Sequence, residues 1–156
     1  MRQPTALFLT LICLAAKPAA AQLRATKLLT ADGMKNIVAA AEAEMKKNNF
    51  NMSIAIVDAA GELVFFQKGD GTRPSNADFA TRKARTAARY GRETRLLDSA
   101  LTAGRLAYLA TDAFPLEGGV PIIVDGLVIG AVGVSGGTSA QDAAVAKAGI
   151  AALITK

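Results

Sequence analysis

Two short β-hairpins, each flanked by helical sequence, constrain the fold of this chain more than any other feature. Residues 53–58 and 62–68 form the first predicted pair of strands, and residues 120–135 form the second around the turn Asp125-Gly126. An Asp-Gly pair between two apolar runs is typical of a two-residue hairpin turn. Strands joined by such turns pair antiparallel. The chain is therefore predicted to build an antiparallel sheet of four to five strands that is flanked by helices.

Helical periodicity surrounds the two hairpins and gives the element order α-β-β-α-α-β-β-α, an α/β fold of the α+β type. Capping patterns mark three of the helix starts. Thr30 is a typical N-cap, and both Ser75 with Asp78 and Ser139 with Asp142 resemble capping boxes. The predicted helices cover residues 31–47, 76–92, 98 or 99 to 111, and 139 to about 154.

Small residues predict close packing in two places. The strand over 127–135 is apolar at nearly every position, so it is expected at the centre of the sheet with both faces covered. Its glycines, Gly130 and Gly133, indicate the close approach of another element or a bulge. One face of the helix over 76–92 also consists of small residues, and it suits either a tight contact within the chain or the interface of an oligomeric adaptor. That face contains Ala80, Ala84, Ala87, Ala88 and Gly91.

Residues 1–21 have the pattern of a cleaved export signal. Arg2 supplies a positive charge, residues 6–16 form an apolar run too short to cross a bilayer, and residues 19–21 are alanines of the kind that signal peptidase accepts. We therefore predict a single mature domain over 22–156, located in the periplasm or secreted, without a stable membrane anchor. A retained anchor or a core helix is the alternative interpretation of the apolar run.

The absence of histidine excludes several kinds of site. Ser-His-Asp and Cys-His mechanisms within one chain, zinc sites built on His, and haem ligation by His are all excluded. The single cysteine, Cys13, lies in the predicted signal, so the mature domain cannot form disulfides. A metal or haem ligand must therefore be a carboxylate, a hydroxyl, a tyrosine (Tyr90 or Tyr108) or a methionine (Met34, Met45 or Met52). Tyrosine can hold ferric haem, which makes Tyr90 a candidate; a packed tyrosine with its hydroxyl at the surface is the alternative.

Glycine-rich loops and one acidic loop supply further candidate binding residues. Backbone N–H groups at Gly118-Gly119 and Gly136-Gly137 could attract a carboxylate or a phosphate, although glycines equally serve turns. Asp70 lies in a loop between a strand and a helix. It is a better candidate than Asp58 and Asp125, which lie at hairpin turns, where aspartate commonly bonds its own backbone.

Arginines form a narrow stripe along the helix over 76–92, nearly opposite its small-residue face. Each guanidinium group of the stripe could bind an acidic group through two parallel hydrogen bonds. An exposed solvated face, or a salt-bridged surface between subunits, is the alternative. Nucleic acid is not a predicted partner, because the segment lacks interleaved aromatic residues and the chain carries an export pattern. The arginine stripe consists of Arg82, Arg85, Arg89 and Arg92, with Lys83 to one side.

Four stretches follow one another in the order found in a known family. They are IVDAAG at 56–61 with Asp70-Gly71, RKARTA at 82–87, GGVPI at 118–122, and GAVGVSGG at 130–137 with Asp142. Together they resemble the GlcG/HbpS family, also called the haem-degrading or DUF336 domain. The resemblance extends over about residues 30–154, which is nearly all of the predicted mature domain.

This resemblance implies a profilin-like domain that assembles into homo-oligomers. Some members of the family are secreted haem binders that degrade haem or pass on iron, so haem binding is a function that the resemblance implies for this chain. Thr94 is the nearest analogue of a threonine that contacts haem in some relatives. The residues that match the family's Lys-Ala-x-Thr-Ala stretch and its glycine loops are Lys83, Thr86, Gly118, Gly119, Gly136 and Gly137.

Three functional hypotheses follow. The first is an exported, oligomeric haem-binding protein in which the propionates meet the arginine stripe and the iron meets Tyr90 or Thr94. The second is a binder or enzyme for a small carboxylate metabolite of the glycolate type, in which the glycine loops hold the anion and Lys83 or Asp58 transfers a proton. The third is a non-catalytic oligomeric adaptor that uses the small-residue helix face as its interface.

Overall fold

The computed structural model describes residues 26–154, so the predicted export signal at 1–21 lies outside the described residues. Within them, the predicted order of helices and strands is confirmed, with one 3₁₀ helix in addition. No helix in this part of the chain has the length and apolar character that a membrane span requires. The elements are α1 (Ala31–Lys47), β1 (Ser53–Asp58), β2 (Leu63–Gln67), α2 (Ser75–Tyr90), α3 (Thr94–Thr102), the 3₁₀ helix (Leu106–Ala110), β3 (Gly119–Val124), β4 (Leu127–Ser135) and α4 (Ser139–Ile154).

The strands form one antiparallel sheet in the order β2-β1-β4-β3. Each hairpin stays paired, and β1 joins the two hairpins by pairing with β4, with Ser53 opposite Ser135 at one end. The turn between β3 and β4 has positive φ at both Asp125 (50°) and Gly126 (74°), as a type I′ hairpin turn requires. β4 therefore lies inside the sheet, as predicted, and its last seven residues are buried.

Helices cover both faces of the sheet. α1 and α4 pack on one face through large apolar side chains, among them Ile37 and Val145, which share a core cluster with Ile54 and Val134 of the central strands. α2 covers the other face. This cover on both sides explains why β4 is apolar throughout, since neither face of it meets solvent.

α2 lies close to the sheet because both surfaces consist of small residues. Ala80 and Ala84 of α2 pack in one buried cluster with Ala55 and Ala131 of the central strands. A Cβ atom on Gly133 would overlap the backbone carbonyl of Ala80. The small-residue face of α2 is therefore part of the core, and its interpretation as the interface of an oligomeric adaptor is wrong.

Neither predicted capping box forms. Pro74 already has helical φ and ψ (−53° and −36°), and α2 begins at Ser75 without a side-chain cap. At α4 the reciprocal bonds start one residue earlier than predicted: Thr138 N–H donates to Gln141 Oε1 (2.9 Å), and Gln141 N–H donates to the Thr138 hydroxyl (3.3 Å). A Thr followed three residues later by Gln is itself a capping-box pattern. This arrangement leaves Asp142 available for a different contact.

The segment after α2 also differs from its prediction. In place of one helix from residue 98 or 99 to 111, α3 begins at Thr94 and ends at Thr102. Gly104 then adopts a φ of +93°, and a glycine in the left-handed region commonly ends a helix. The earlier start makes Thr94 a helix residue whose side chain is fully buried.

Candidate functional site

A cleft of about 470 Å³ opens where α2, the loop before it and the start of α4 meet at the end of β4. We call its buried members, Lys83, Ser135 and Asp142, the cleft floor. Phe79 and Leu116 supply an apolar wall. The cleft rim consists of exposed or half-buried residues, namely Asn51, Thr72, Arg73, Asn76, Gly136, Gly137 and Ser139.

A buried ion pair joins α2 to α4 at the cleft floor. The side chains of Lys83 and Asp142 are 4% and 3% exposed, and Lys83 Nζ lies 2.7 Å from Asp142 Oδ2. Lys83 Nζ also donates to the carbonyl of Val134 (3.2 Å), and Asp142 Oδ1 accepts from Gly137 N–H (2.9 Å). Each buried charge thus has an opposite charge and a further hydrogen bond, which burial of a charge requires.

Two groups on the cleft still have hydrogen-bonding capacity. An ammonium group carries three N–H donors, and Lys83 Nζ uses two of them on partners among the described residues. The Ser135 hydroxyl has no hydrogen-bond partner within residues 26–154, although the residue is only 4% exposed. The cleft floor therefore presents a donor and a hydroxyl to whatever occupies it.

The loop beside the cleft is held in place by hydroxyl groups. The Thr72 hydroxyl donates to the carbonyl of Gly69 (2.7 Å) and lies 3.3 Å from the hydroxyl of Ser53. The next residue, Arg73, is exposed and forms no ion pair with another described residue. The loop thus presents an unpaired guanidinium group at the cleft rim.

Thr86 and Thr94 lie away from the cleft and fix the connection that leads into β3. The Thr86 hydroxyl accepts from Phe114 N–H (2.8 Å), and the Thr94 hydroxyl accepts from Gly119 N–H (2.9 Å). Gly118 and Gly119 are buried. The two threonines therefore hold β3 beside α2 and do not line the cleft. Gly118 instead packs against the cleft floor, because a Cβ atom built on it would lie 2.8 Å from Lys83 Nζ and 2.9 Å from Asp142 Cβ.

Two members of the arginine stripe, Arg85 and Arg89, bond the β1–β2 turn, and Tyr90 is the last residue of α2. Arg89 donates to the carbonyl of Ala60 (3.1 Å) and pairs with Asp112 (3.1 Å). The Tyr90 hydroxyl donates to the same Asp112 carboxylate (3.2 Å). Arg92 donates to the Tyr90 carbonyl (3.4 Å) and forms no ion pair within the described part of the chain. We call Arg89, Tyr90, Arg92 and Asp112 the Tyr90 surface.

Two other predicted site residues occupy separate positions. Arg82 is exposed, with its guanidinium 4.0 Å from the ring centre of Phe114, and that ring contacts Phe79 of the cleft wall. Asp70 is exposed and lines a depression between α1 and β2. The structure thus brings together Lys83, Gly136 and Gly137 at the cleft, with Gly118 packed against its floor, and keeps the remaining candidates apart from it.

The partners of Lys83 come from distant parts of the chain and leave no local signal in the sequence. A signal for its burial is present, because Lys83 follows Ala80 by three residues and precedes Ala87 by four, and both alanines belong to the buried face. A lysine on a buried face requires a carboxylate partner. That signal does not say which carboxylate pairs with it, and it does not identify Arg73 or Ser135.

Comparisons with known proteins confirm the profilin-like α/β fold. The family model described as haem degrading protein HbpS-like matches residues 29–151. Protein GlcG of Escherichia coli K12 is 45% identical over 112 residues, which are 70% of this chain and 84% of that protein. A double mutant of Streptomyces reticuli HbpS has a TM-score of 0.75 at 30% identity, with 88% of this chain and 97% of that chain covered. PduOC, solved in complex with haem, has a TM-score of 0.74 at 25% identity, and the match covers 81% of this chain and 95% of PduOC.

The chain therefore belongs to the HbpS-like family, the GlcG/HbpS family that its sequence motifs predict.

Proposed function

We propose that this protein is an exported, homo-oligomeric haem-binding protein. The family model carries the name of a haem-degrading protein, and one structural neighbour was solved with haem. In the chain itself, the supporting observation is a tyrosine whose hydroxyl shares the Asp112 carboxylate with Arg89, next to Arg92, which forms no ion pair among the described residues. The export pattern of residues 1–21 supports placement of this site outside the cytoplasm.

The cleft does not suit a ligated haem. Histidine, cysteine, methionine and tyrosine are the residues that hold haem iron in proteins, and none of the residues that line the cleft is of these types. The cleft floor is instead occupied by the paired charges of Lys83 and Asp142. Thr94, the other suggested iron contact, is fully buried and bonded to Gly119, so it is not accessible to a bound porphyrin.

The Tyr90 surface has the groups that haem needs. Tyr90 would supply a phenol oxygen for the iron, and Arg92, which forms no ion pair among the described residues, a guanidinium group for a propionate. Arg89 is already bonded to Ala60, Glu62 and Asp112 and positions the Asp112 carboxylate beside Tyr90. Leu106 and Leu109, 65% and 67% exposed, lie on the 3₁₀ helix shortly before Asp112 and supply apolar area for a porphyrin face. When bound, haem would supply a redox-active iron. The protein would bind the macrocycle and position it.

A hemin titration followed by absorbance tests this proposal. We expect saturable binding with a shifted Soret band, and Tyr90→Phe should weaken it by about tenfold or more because the iron loses its oxygen ligand. Tyr108→Phe is the matched control for the loss of a phenol oxygen: it removes the hydroxyl of the other tyrosine and keeps the ring, which lies against the guanidinium of Arg105. Binding that ignores Tyr90→Phe would reject this site, and the lack of saturable binding would reject the haem function.

A further inference from the structure

We infer that the cleft is a binding site for a small organic anion that carries one carboxylate and at least one further hydroxyl or carbonyl group. The cleft lies apart from the Tyr90 surface, so this inference does not rest on haem binding. It follows from the charge, the unused hydrogen-bonding groups and the size of the cleft.

The charge of the cleft favours a monoanion. Its charged lining residues are Lys83, Asp142 and Arg73. Because Lys83 and Asp142 neutralise each other at 2.7 Å, the guanidinium of Arg73 leaves the cleft with an excess of one positive charge. Ser139 begins α4 at the rim, and the partial positive charge of a helix N-terminus acts in the same direction.

The unused groups of the cleft floor match a ligand with two kinds of polar atom. The third N–H donor of Lys83 can serve a carboxylate oxygen, and the Ser135 hydroxyl can both donate and accept. The Ser135 hydroxyl has no partner within residues 26–154 and is open to the cleft, so a ligand can bond it without displacing a contact of the protein. The side-chain amides of Asn51 and Asn76 at the rim, which have no hydrogen-bond partner within residues 26–154, can reach the second polar group of the ligand.

The size and rigidity of the cleft suit a small ligand. Its volume of about 470 Å³ lies in the lower part of the range of known small-molecule sites. Phe79 and Leu116 line one side and can contact a short carbon chain. The bonds of Thr72 to Gly69 hold the rim loop before any ligand arrives, so little ordering entropy opposes binding.

An NMR titration of the ¹⁵N-labelled protein tests the inference. The probes are lactate and pyruvate, and lactamide is the uncharged control of the same shape. We expect saturable shifts of the backbone amides of Gly136, Gly137 and Ser139 with at least one of the two anions, and at least tenfold weaker binding of lactamide.

Two variants of unpaired, exposed arginines locate the site. Arg73→Gln should weaken anion binding by fivefold or more, whereas Arg105→Gln, just before the 3₁₀ helix and outside the cleft, should leave it unchanged. Ser135→Ala keeps the ion pair intact and should also weaken binding by fivefold or more. Failure of both anions to give saturable shifts, equal binding of lactamide, or unchanged binding by Arg73→Gln would overturn the inference. Hemin titrations are read separately, because the haem proposal depends on Tyr90 and Arg92.

Discussion

At the scale of single residues, the contact between Lys83 and Asp142 places two charges where little water reaches them. Removing one partner of such a pair leaves the other charge buried and unpaired, at a cost of about 3–5 kcal/mol. We predict that Lys83→Met lowers the free energy of unfolding by about this amount in urea denaturation. The double variant Lys83→Met/Asp142→Leu should restore most of the loss, because no charge then remains at the cleft floor.

A second ion pair supplies the control for this prediction. Lys35 Nζ lies 3.2 Å from Asp32 Oδ1, and the two side chains are 74% and 88% exposed, so solvent screens the pair. Lys35→Met should cost less than about 1 kcal/mol. If Lys83→Met were as mild as Lys35→Met, or if the double variant were as unstable as the single one, the Lys83–Asp142 pair would not have the energetic role assigned to it.

Only some of the residues that meet at the cleft can be identified from the sequence. Lys83, Gly136 and Gly137 can be selected because they stand in motifs of the family. Asp142 also belongs to the last of those motifs, but it stands in a pattern typical of a helix start, and its partner is a lysine 59 residues away. A contact at such a separation leaves no periodic signal in the sequence, so local capping was the stronger but incorrect interpretation of Asp142.

At the scale of elements, α2 packs on the sheet at a distance that Gly133 permits. A Cβ atom at this position would overlap the backbone of Ala80 and Ala84, which cannot move without displacing the helix. We predict that Gly133→Ala lowers the free energy of unfolding by about 3 kcal/mol, at the upper end of the range for overpacking. Urea denaturation followed by circular dichroism measures the change.

A glycine in open space is the control for Gly133. No atom lies within 4 Å of a Cβ built on Gly126, and asparagine tolerates the left-handed conformation of this turn. Gly126→Asn should therefore cost no more than about 1 kcal/mol. A Gly133→Ala variant as stable as Gly126→Asn would mean that α2 can shift away from β4 at little cost.

The elements themselves could be predicted wherever local signals agree with one another. In α1, the Thr30 cap, the apolar period and the final asparagine all indicate the same helix, and the structure has the predicted bounds. Around α3 the signals conflict, because apolar leucines continue past Gly104 while the glycine ends the helix. The periodicity of the leucines therefore overstated the length of that helix.

At the scale of the whole molecule, the assembly proposed from the family resemblance must use a surface other than the small-residue face of α2. Ala84 is fully buried within one chain. We predict that the wild-type protein is a homo-oligomer by light scattering after gel filtration, and that Ala84→Glu abolishes folding, because it buries an unpaired charge. A well-folded Ala84→Glu monomer would instead place this face between subunits.

The location of the molecule also decides whether haem outside the cytoplasm can reach the Tyr90 surface. The small residues at 19–21 predict cleavage before Gln22, and the remaining chain has no cysteine, so it can fold outside the cytoplasm without disulfides. When the protein is expressed with its own N-terminus in a Gram-negative host, we expect it in the periplasm. Mass spectrometry of the intact protein should give the mass of residues 22–156. Ala21→Phe should block this cleavage, because the peptidase requires a small residue there, whereas Gln3→Ser should not affect it. A cytoplasmic protein of full length would contradict export and would restrict the proposed site to haem within the cell.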